Sequence, residues 1–317
     1  MSRTTVFILL LATCMSAGPG VLAAKGAPTD EEVARMVAAA SKVTAVKPAK
    51  PRKVLVFSIS WGYKHSSIGY GKKAFEILAK KTGAFEAVIS DDISMFEPEN
   101  LKQFDAVVFN NTNNEIFLPE NFDKLPAAEK EKAARYDARL KASLVKYLKK
   151  GGGLAVTHAG VASFRKWPEY GNIIGARFQN HPWGAGSTVT LKVDEPDHPV
   201  AGAFARPVFE VTDEIYQVAD PYSREKLRVL VSIDAGLTPT DMKSITPARR
   251  KDKDFAITWI KSYGKGRVFY CALGHQHELF WNKMILQHYL DGVQFAAGDL
   301  KGSTTPSAKL RKAPAKK

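Results

Sequence analysis

The chain has 317 residues, of which 45% are hydrophobic and 25% are charged, a composition typical of a globular protein with one large domain or two small ones. Its net charge of +14 would suit a nucleic-acid binder, but most of the charge lies in two tails rich in Ala, Pro and Lys. Residues 24–53 carry seven Lys or Arg against three Asp or Glu, residues 300–317 carry six Lys or Arg, and residues 54–299 retain only +3. Nucleic-acid binding requires basic residues on a folded face, so this distribution excludes it for the core.

The first 23 residues have the features of a signal peptide. Arg3 provides a positive start, an apolar stretch follows, and the small residues Ala23 and Ala24 suit a signal peptidase. A membrane anchor is disfavoured because the apolar stretch is shorter than the roughly 20 residues that span a bilayer. A lipoprotein is disfavoured because Thr13 precedes Cys14. We therefore expect cleavage near Ala23 or Ala24 and an exported protein, periplasmic or extracellular, without a transmembrane segment.

Cleavage would leave one cysteine in the mature chain. Cys271 would then have no partner for an internal disulfide. It lies in the apolar run 268–273, which predicts a buried structural thiol rather than a nucleophile.

The first half of the chain predicts alternating strands and helices. Residues 24–52 are expected to be a flexible linker, in which residues 31–41 are compatible with a short helix. Beyond the linker, continuous apolar runs predict strands that are buried on both faces, with helical spacing between them. The strands are predicted at 53–60, 86–90, 104–110 and 153–158, and the helices at 67–81 and 127–149, with stops at Gly83 and Gly151.

The second half is predicted to be richer in strands without long helices between them. It has strands at 188–193 and 227–233, a hairpin of 254–260 and 268–273, and a final helix at 279–297. The predicted fold class is α/β, a doubly wound and mostly parallel sheet with added antiparallel strands. Residues 299–317 are expected to form a basic disordered tail.

Polar side chains follow four of the apolar runs, where each predicted strand ends. These segments are Trp61 to His65, Asn110 to Glu115, Thr157 to Gly160, and Leu273 to His277. Open parallel sheets bind ligands at the carboxyl ends of their strands. Histidine and asparagine side chains suit metals, protons and sugar hydroxyls, so we expect the four segments to share one site.

His158 is the most specific candidate of this site. It directly follows an apolar strand and precedes Ala159 and Gly160, an arrangement that resembles a nucleophile elbow with His in place of Ser or Cys. Acyl transfer through a covalent Ser or Cys intermediate is therefore not expected there. An imidazole can act as base, acid or metal ligand. The alternative is a histidine that merely caps the next helix.

Other histidines and one carboxylate come from less regular parts of the sequence. His181 and Glu214 are added to the candidate site from the second half of the chain. His198 either joins the site or shapes a turn before a short helix, and His277 and His288 are expected to be structural or exposed.

Three tryptophans, Trp61, Trp167 and Trp183, are candidates for a platform on which a flat sugar ring packs, although single aromatics also belong to cores. The glycine-rich turns 151–153 and 264–266 lack the spacing of a P-loop or a dinucleotide-binding motif. No nucleotide cofactor is therefore expected.

Six motifs follow one another in a characteristic order: SWGYKH at 60–65, GGGLAVTH at 151–158, GARFQNHP at 175–182, DHP at 197–199, DEIY at 213–216 and YGKGRVFYCALGH at 263–275. This combination resembles the trehalose-utilisation (ThuA-like) family over residues 53–298. The resemblance implies a flavodoxin-like fold of the class I glutamine-amidotransferase-like superfamily for those residues. His158 stands where the amidotransferases have their cysteine, so glutaminase activity is not implied.

The resemblance also implies a function. Family members are associated with the catabolism of trehalose and other disaccharides, often beside oxidoreductases that make 3-keto sugars. We therefore expect a hydrolase, lyase or isomerase of carbohydrate catabolism, whose partner is a small carbohydrate and which is compatible with a homo-oligomer. The alternative is a non-catalytic carbohydrate-binding or interaction domain.

Each candidate residue is given a role. The expected catalytic residues are His158, His65 and Glu214. Substrate is expected to contact Trp61, Tyr63, Asn111, Asn113 and Trp183. A divalent metal, Zn²⁺ or similar, is expected on His65, His158, His181 and His275, because neutral imidazoles beside a carboxylate suit such an ion. No compact HExxH-like spacing supports the metal independently.

Overall fold

A computed structural model of the protein describes residues 26–240 and 252–310. The expected signal peptide, residues 1–23, lies outside the described residues, as do residues 311–317 at the end of the basic tail. Among the residues that the structure describes, no helix combines the length and the apolarity needed to cross a membrane.

Strands and helices alternate through the first half, and strands dominate the second. The strands are β1 (Lys53–Phe57), β2 (Glu86–Ile89), β3 (Ala106–Asn110), β4 (Gly153–Thr157), β5 (Arg177–Trp183), β6 (Thr188–Val193), β7 (Val208–Thr212), β8 (Ile215–Ala219), β9 (Arg228–Ile233), β10 (Ala256–Tyr263) and β11 (Gly266–Cys271). The helices are α1 (Asp30–Ala40), α2 (Ile68–Thr82), α3 (Pro98–Leu101), α4 (Ala127–Lys149), α5 (Pro168–Ile174) and α6 (Lys283–Ala297).

Nine of the strands form one sheet, in the order β2-β1-β3-β4-β11-β10-β9-β6-β7. The first five strands in this order, β2, β1, β3, β4 and β11, are parallel to one another. Each following pair of neighbours, from β11 and β10 to β6 and β7, is antiparallel. β5 and β8 form a separate antiparallel pair. The predicted fold class, an α/β sheet of parallel strands with added antiparallel strands, is confirmed.

The sequence features that predicted these elements have clear structural counterparts. Every residue of β3 and β4 is buried, as expected for apolar runs inside a covered sheet. α2 ends at Gly83, whose φ of 64° is the left-handed conformation that glycine adopts without strain. Cys271 is fully buried, and burial raises the pKa of its thiol to about 12, so it is a core residue as predicted.

The strands β5, β7 and β8 and the helix α5 were not predicted. β7 lies at one edge of the large sheet and pairs there with β6, and most of its residues are partly or fully exposed. β5 pairs with β8 in an irregular register and has mostly polar residues. Edge strands and irregular strands do not need a continuous apolar run, so hydropathy does not reveal β7 and β5.

The segment before β1, expected to be a flexible linker, contains the packed helix α1. A capping box of Thr29 and Glu32 begins the helix, and Met36 is fully buried against the rest of the domain. The short helix that the sequence allowed at 31–41 therefore forms and packs, because it has both a cap and an apolar face.

The chain between α1 and β1 is held by two glutamines of α6. The amide of Gln287 accepts a hydrogen bond from the backbone N–H of Thr44 and donates one to its carbonyl. Gln294 does the same with Val46. Such backbone anchoring involves little apolar burial, and a sequence rich in Ala, Lys and Pro does not reveal it.

Part of the expected disordered tail is also attached to the domain. Arg52 and Asp299 form a bidentate ion pair with N···O distances of 2.6 and 2.8 Å. Further along, the backbone N–H of Ser307 donates to the carbonyl of Leu227 at 2.9 Å. Hydrogen bonds and a charge pair thus attach residues 299–310 to the domain, together with the packing of Leu300 on the core.

His288 predicts a pH dependence of stability. It is fully buried between the carbonyl of Val200 and the hydroxyl of Thr258, and burial lowers its pKa to about 4. A depressed histidine pKa means that the unfolded chain binds the proton first, so stability is lost as pH falls from about 6.5 to 4. His288 should contribute up to about 3 kcal/mol to this loss. Urea unfolding of His288→Gln should show a flatter pH profile than wild type by that amount, and identical profiles would contradict the assignment.

Candidate metal centre

Four side chains meet at the carboxyl-terminal edge of the parallel strands. His65 lies in the loop after β1, His158 directly follows β4, and His275 lies in the loop after β11. Glu214 comes from the turn between β7 and β8. One ligand atom of each residue lies within 4.8 Å of those of the other three. This is the edge at which open parallel sheets bind ligands.

Glu214 is the centre of the group. Its Oε2 lies 3.1 Å from Nδ1 of His275, 3.3 Å from Nε2 of His158 and 3.8 Å from Nε2 of His65. The centroids of the three imidazole rings are 4.8 to 5.4 Å apart. Ligands of a tetrahedral zinc ion lie about 3.4 Å from one another, given bonds of about 2.0–2.1 Å, so the group has close to the spacing that such an ion needs.

A strained turn presents His158. Its φ of 43° is in the region that residues with a Cβ avoid, and its side chain is fully buried. The N-cap of the following 3₁₀ helix is Thr157, so capping by His158 is not the reason for its position. A Cβ on Gly274 would lie in tight contact with His158, 3.2 Å from its Cβ, and the φ of Gly274, 138°, is in the region that favours glycine. The turn therefore resembles a nucleophile elbow in form, with an imidazole in the presented position.

The side chain of Asn111 is hydrogen-bonded to the turn that presents His158. It was predicted to contact substrate, but it is fully buried. Its Oδ1 accepts the backbone N–H of Ala159 at 3.2 Å, and its Nδ2 donates to Ser67 and to the carbonyl of Gly274. The predicted substrate contact is therefore wrong for Asn111, because all of its polar atoms are used to join three loops of the site.

The hydrogen bond on the far side of His158 decides which nitrogen faces the group. Nδ1 lies 2.7 Å from the carbonyl oxygen of Ala272, which can only accept, so Nδ1 carries the proton. In the neutral ring, Nε2 then has a lone pair that faces the Glu214 carboxylate. Nε2 of His158 and Oε2 of Glu214, two buried acceptors 3.3 Å apart, are favourable neighbours only when a shared proton or a cation lies between them.

Tyr216 supplies one such proton but not enough for the whole group. Its hydroxyl oxygen is 3.0 Å from Nε2 of His158 and 3.4 Å from Nε2 of His65, and it can donate to only one of them at a time. Three imidazoles and one carboxylate are, by contrast, the donor set of zinc and similar divalent ions. The residues present therefore fit such an ion.

The charges of the group also suit a cation. Burial lowers the pKa of His158 to about 4 and lowers that of His65, so both rings are neutral near pH 7. Burial opposes ionisation of Glu214, but the surrounding imidazoles together hold its pKa well below the usual range. The pKa of His275 is raised, because the neighbouring Glu214 carboxylate outweighs its burial. A neutral imidazole and an ionised carboxylate are the forms that bind metals.

The carboxylate of Asp213 fixes the loop that carries His275. It accepts the backbone N–H groups of Gly274, His275 and Gln276 at 2.8, 3.1 and 2.8 Å. No role was predicted for Asp213, although it begins the DEIY motif next to Glu214. The two adjacent acidic residues thus have different roles: Glu214 belongs to the group of candidate ligands, and Asp213 holds the loop that carries His275.

A cavity of about 520 Å³ opens beside the group, a size common for small-molecule sites. Besides His65, His275 and Glu214, its polar and aromatic lining residues are Tyr63, Asn113, Asn114, Arg165, Phe178, His181 and Tyr216. Tyr63 is 64% exposed, and its ring centroid is 4.7 Å from that of His65. The guanidinium carbon of Arg165 is 5.1 Å from the centre of the Phe178 ring.

Only some of the residues predicted to contact substrate line this cavity. Tyr63 and Asn113 line the cavity, whereas Trp61 and Trp183 are not among its lining residues. Trp183 is almost fully buried, and its ring packs on Phe255. The substrate platform predicted for the tryptophans is therefore not formed by Trp61 or Trp183.

Two predicted site histidines lie outside the group of four ligands. His181 has 54% of its side chain exposed, and its Nδ1 is 3.2 Å from Oε1 of Glu214, the oxygen that does not face the other three imidazoles. It is therefore a neighbour of the candidate metal centre and not one of its ligands. His198 is the N-cap of a 3₁₀ helix, where it accepts the N–H of Val200, and so it shapes a turn.

Four polar or aromatic cavity residues were given no individual role from the sequence: Asn114, Arg165, Phe178 and Tyr216. Tyr216 could have been found, since it closes the DEIY motif. Phe178 could have been found too, since it lies in the GARFQNHP motif. Arg165 has no local signal, because it meets the other cavity residues only in the folded chain.

Comparison with known proteins assigns the family. The family described as ThuA, trehalose utilisation, matches residues 53–296. A ThuA-like protein from Bacteroides uniformis ATCC 8492 has a similar structure, with a TM-score of 0.60 and 21% identity over 84% of this chain and 99% of its own. A ThuA-like protein from Parabacteroides merdae ATCC 43184 has a TM-score of 0.52 and 18% identity over 84% and 94%. The search of curated proteins gave no match. Since the family match spans most of its length, the chain belongs to the trehalose-utilisation (ThuA) family.

Proposed function

We propose that the protein is a metal-dependent enzyme of carbohydrate catabolism that acts on a disaccharide or a 3-keto sugar. The observation that carries this proposal is the convergence of three imidazoles and one ionised carboxylate beside a cavity of small-molecule size. The family description, trehalose utilisation, supports a sugar as the substrate. The signal-peptide features of residues 1–23 support action outside the cytoplasm, in the periplasm or beyond the cell.

The residues around the centre suit proton transfer to and from a sugar. A divalent ion on His65, His158, His275 and Glu214 would supply Lewis-acid polarisation of a substrate oxygen. His181 touches Glu214 and is half exposed, so its imidazole connects the site with solvent. These features fit a hydrolase, a lyase or an isomerase, all of which need a polarised oxygen and a mobile proton.

Tyr216 is suited to hold a proton at the centre. Burial raises the pKa of its hydroxyl, so the phenol stays protonated and acts as a hydrogen-bond donor. It donates toward His158 or His65, and it also lines the cavity where a substrate oxygen would lie.

Glutaminase chemistry is not supported. The strand-end position that presents the side chain holds His158, and a thioester needs a cysteine there. Cys271 cannot substitute, because it is fully buried and its thiol pKa is raised to about 12.

A carbohydrate-binding domain without turnover is the second candidate. The exposed ring of Tyr63 at the cavity favours it, since exposed aromatic rings provide apolar faces for sugar rings. This reading needs the cavity but not the ion.

The proposal is tested by elemental analysis of protein purified without a polyhistidine tag, followed by assays with trehalose and 3-keto disaccharides. We expect near-stoichiometric Zn, Mn or Ni, turnover of a sugar, loss of turnover after chelation, and recovery on adding the metal back. Sugar binding without turnover in the metal-loaded protein would favour the second candidate. Absence of bound metal even after divalent ions are added would refute the metal-dependent function.

A further inference from the structure

We propose that the N-terminal segment, residues 26–46, positions two ligands of the metal centre, and that Glu32 and Tyr70 act as positioning residues for the reaction. The inference rests on the proposed function, because the ligands concerned are His65 and His275. The segment precedes residues 53–296, so it lies outside the span that the family match covers.

α1 packs on the elements that follow the two ligands in the chain. α2 begins three residues after His65, and a 3₁₀ helix, His277–Trp281, begins two residues after His275. α1 contacts both of these helices and also α6. The guanidinium of Arg35 lies 5.8 Å from the centre of the Trp281 ring. One helix outside the matched span thus contacts both of the helices that follow the ligand loops.

A chain of side-chain contacts runs from α1 to these loops. The hydroxyl of Tyr70 donates to Glu32 at 2.8 Å. The ring of Tyr70 stacks on that of His277, with centroids 3.9 Å apart and planes 14° apart. His277 in turn is hydrogen-bonded through Nε2 to Oγ of Ser66 at 2.8 Å. Ser66 is the residue after His65, so the contacts end beside a ligand.

The backbone of the N-terminal segment also contacts the chain just after His65. A Cβ on Gly69 would lie 2.1 Å from the carbonyl oxygen of Gly26, so the backbones of the N-terminal segment and of α2 are in direct contact. Beneath this contact, Oγ of Ser67 donates to the carbonyl of Gly274 at 2.8 Å, which ties the His65 loop to the His275 loop. The N-terminal segment therefore covers the junction of the two ligand loops.

The segment is placed to act through the ligands and not on the substrate. None of its described residues lines the cavity beside the metal centre. Groups behind a metal ligand fix its orientation, and their loss commonly lowers metal affinity by about 10–100-fold. Glu32 and Tyr70 lie further from the ion than such groups, so we expect a smaller effect, about three- to tenfold.

The test compares Tyr70→Phe with Tyr263→Phe in the full-length protein. Tyr70→Phe removes one hydroxyl, leaves a ring that can stack on His277, and leaves the capping box of Thr29 and Glu32 in place. Tyr263→Phe is the matched control, because it also removes a tyrosine–glutamate hydrogen bond, that to Glu169, outside the cavity lining.

We expect Co²⁺ to bind Tyr70→Phe about three- to tenfold more weakly than wild type and with an altered visible spectrum. Ser66→Ala should do the same by removing the hydroxyl next to the ligand. Tyr263→Phe should bind Co²⁺ as wild type does, even if it melts at a lower temperature. Unchanged affinity and spectrum in Tyr70→Phe and Ser66→Ala would overturn the inference.

Hydrogen exchange of the metal-free protein separates this inference from the proposed function. Tyr70→Phe should speed exchange at residues 65–69 and 274–277 by about fivefold, the effect of one lost hydrogen bond, and Tyr263→Phe should not. If wild type binds no metal, the proposed metal-dependent function fails, yet faster exchange still supports the positioning of the loops. Equal exchange in the two variants refutes that positioning.

Discussion

Replacement of His158 by alanine is expected to release the divalent ion and to lower turnover of the proposed sugar substrate by at least about 10²-fold. The residue is one of three imidazoles of the group, and its strained turn places Nε2 3.3 Å from Glu214. No neighbouring imidazole replaces it, because His181 faces the other carboxylate oxygen. Metal content by mass spectrometry and kcat measured with added metal test this expectation.

The matched control for His158 is His198→Ala. His198 is also a buried histidine, but it caps a 3₁₀ helix and contacts the carbonyl of Ser303 away from the centre. His198→Ala should keep the ion and the activity, even if stability falls. A His158→Ala protein that retains stoichiometric metal and full turnover would show that His158 is not a ligand.

Replacement of Glu214 by glutamine is expected to weaken metal binding by at least about 100-fold, as measured by competition with a chromophoric chelator. Glu214 is the anionic member of the group and contacts all four nearby imidazoles: those of His65, His158, His181 and His275. Glutamine has nearly the same shape but no charge, and its NH₂ group would face nitrogens that must be free to bind a cation.

Glu115→Gln is a fitting control for this charge change. Glu115 has 14% of its side chain exposed, against 12% for Glu214, and it is paired with Lys141 away from the candidate centre. Metal affinity should be unchanged in Glu115→Gln. Equal weakening in both variants would mean that the effect arises from lost stability and not from a lost ligand.

The parallel half of the sheet could be predicted because its physical signal is local. The strands β1, β3 and β4 are apolar runs with polar residues just beyond them, and α2 ends at a glycine with a positive φ. The edge strand β7 and the irregular strand β5 have no such runs, since neither is covered on both faces. The order of the chain between α1 and β1 was also missed, because it depends on the amides of Gln287 and Gln294, more than 200 positions away.

The candidate site could be predicted in part for the same reason. His65, His158 and His275 follow strands, and strand ends of a parallel sheet share one edge, so their proximity follows from topology. The same rule misplaced Asn111, because it indicates which loops meet and not which side chains face the opening. Arg165 and Phe178 escaped the rule, since their position depends on how loops pack on one another.

The ion pair of Arg52 with Asp299 has a consequence for how the family domain can be combined with other sequences. The two residues flank the matched span 53–296 and are in direct contact. The chain therefore enters and leaves the domain at neighbouring points on its surface. A module whose ends adjoin can be inserted into a loop of a larger protein, or circularly permuted with a short linker, without stretching the chain. Gene fusions that carry this domain as an internal insert are therefore geometrically easy to build.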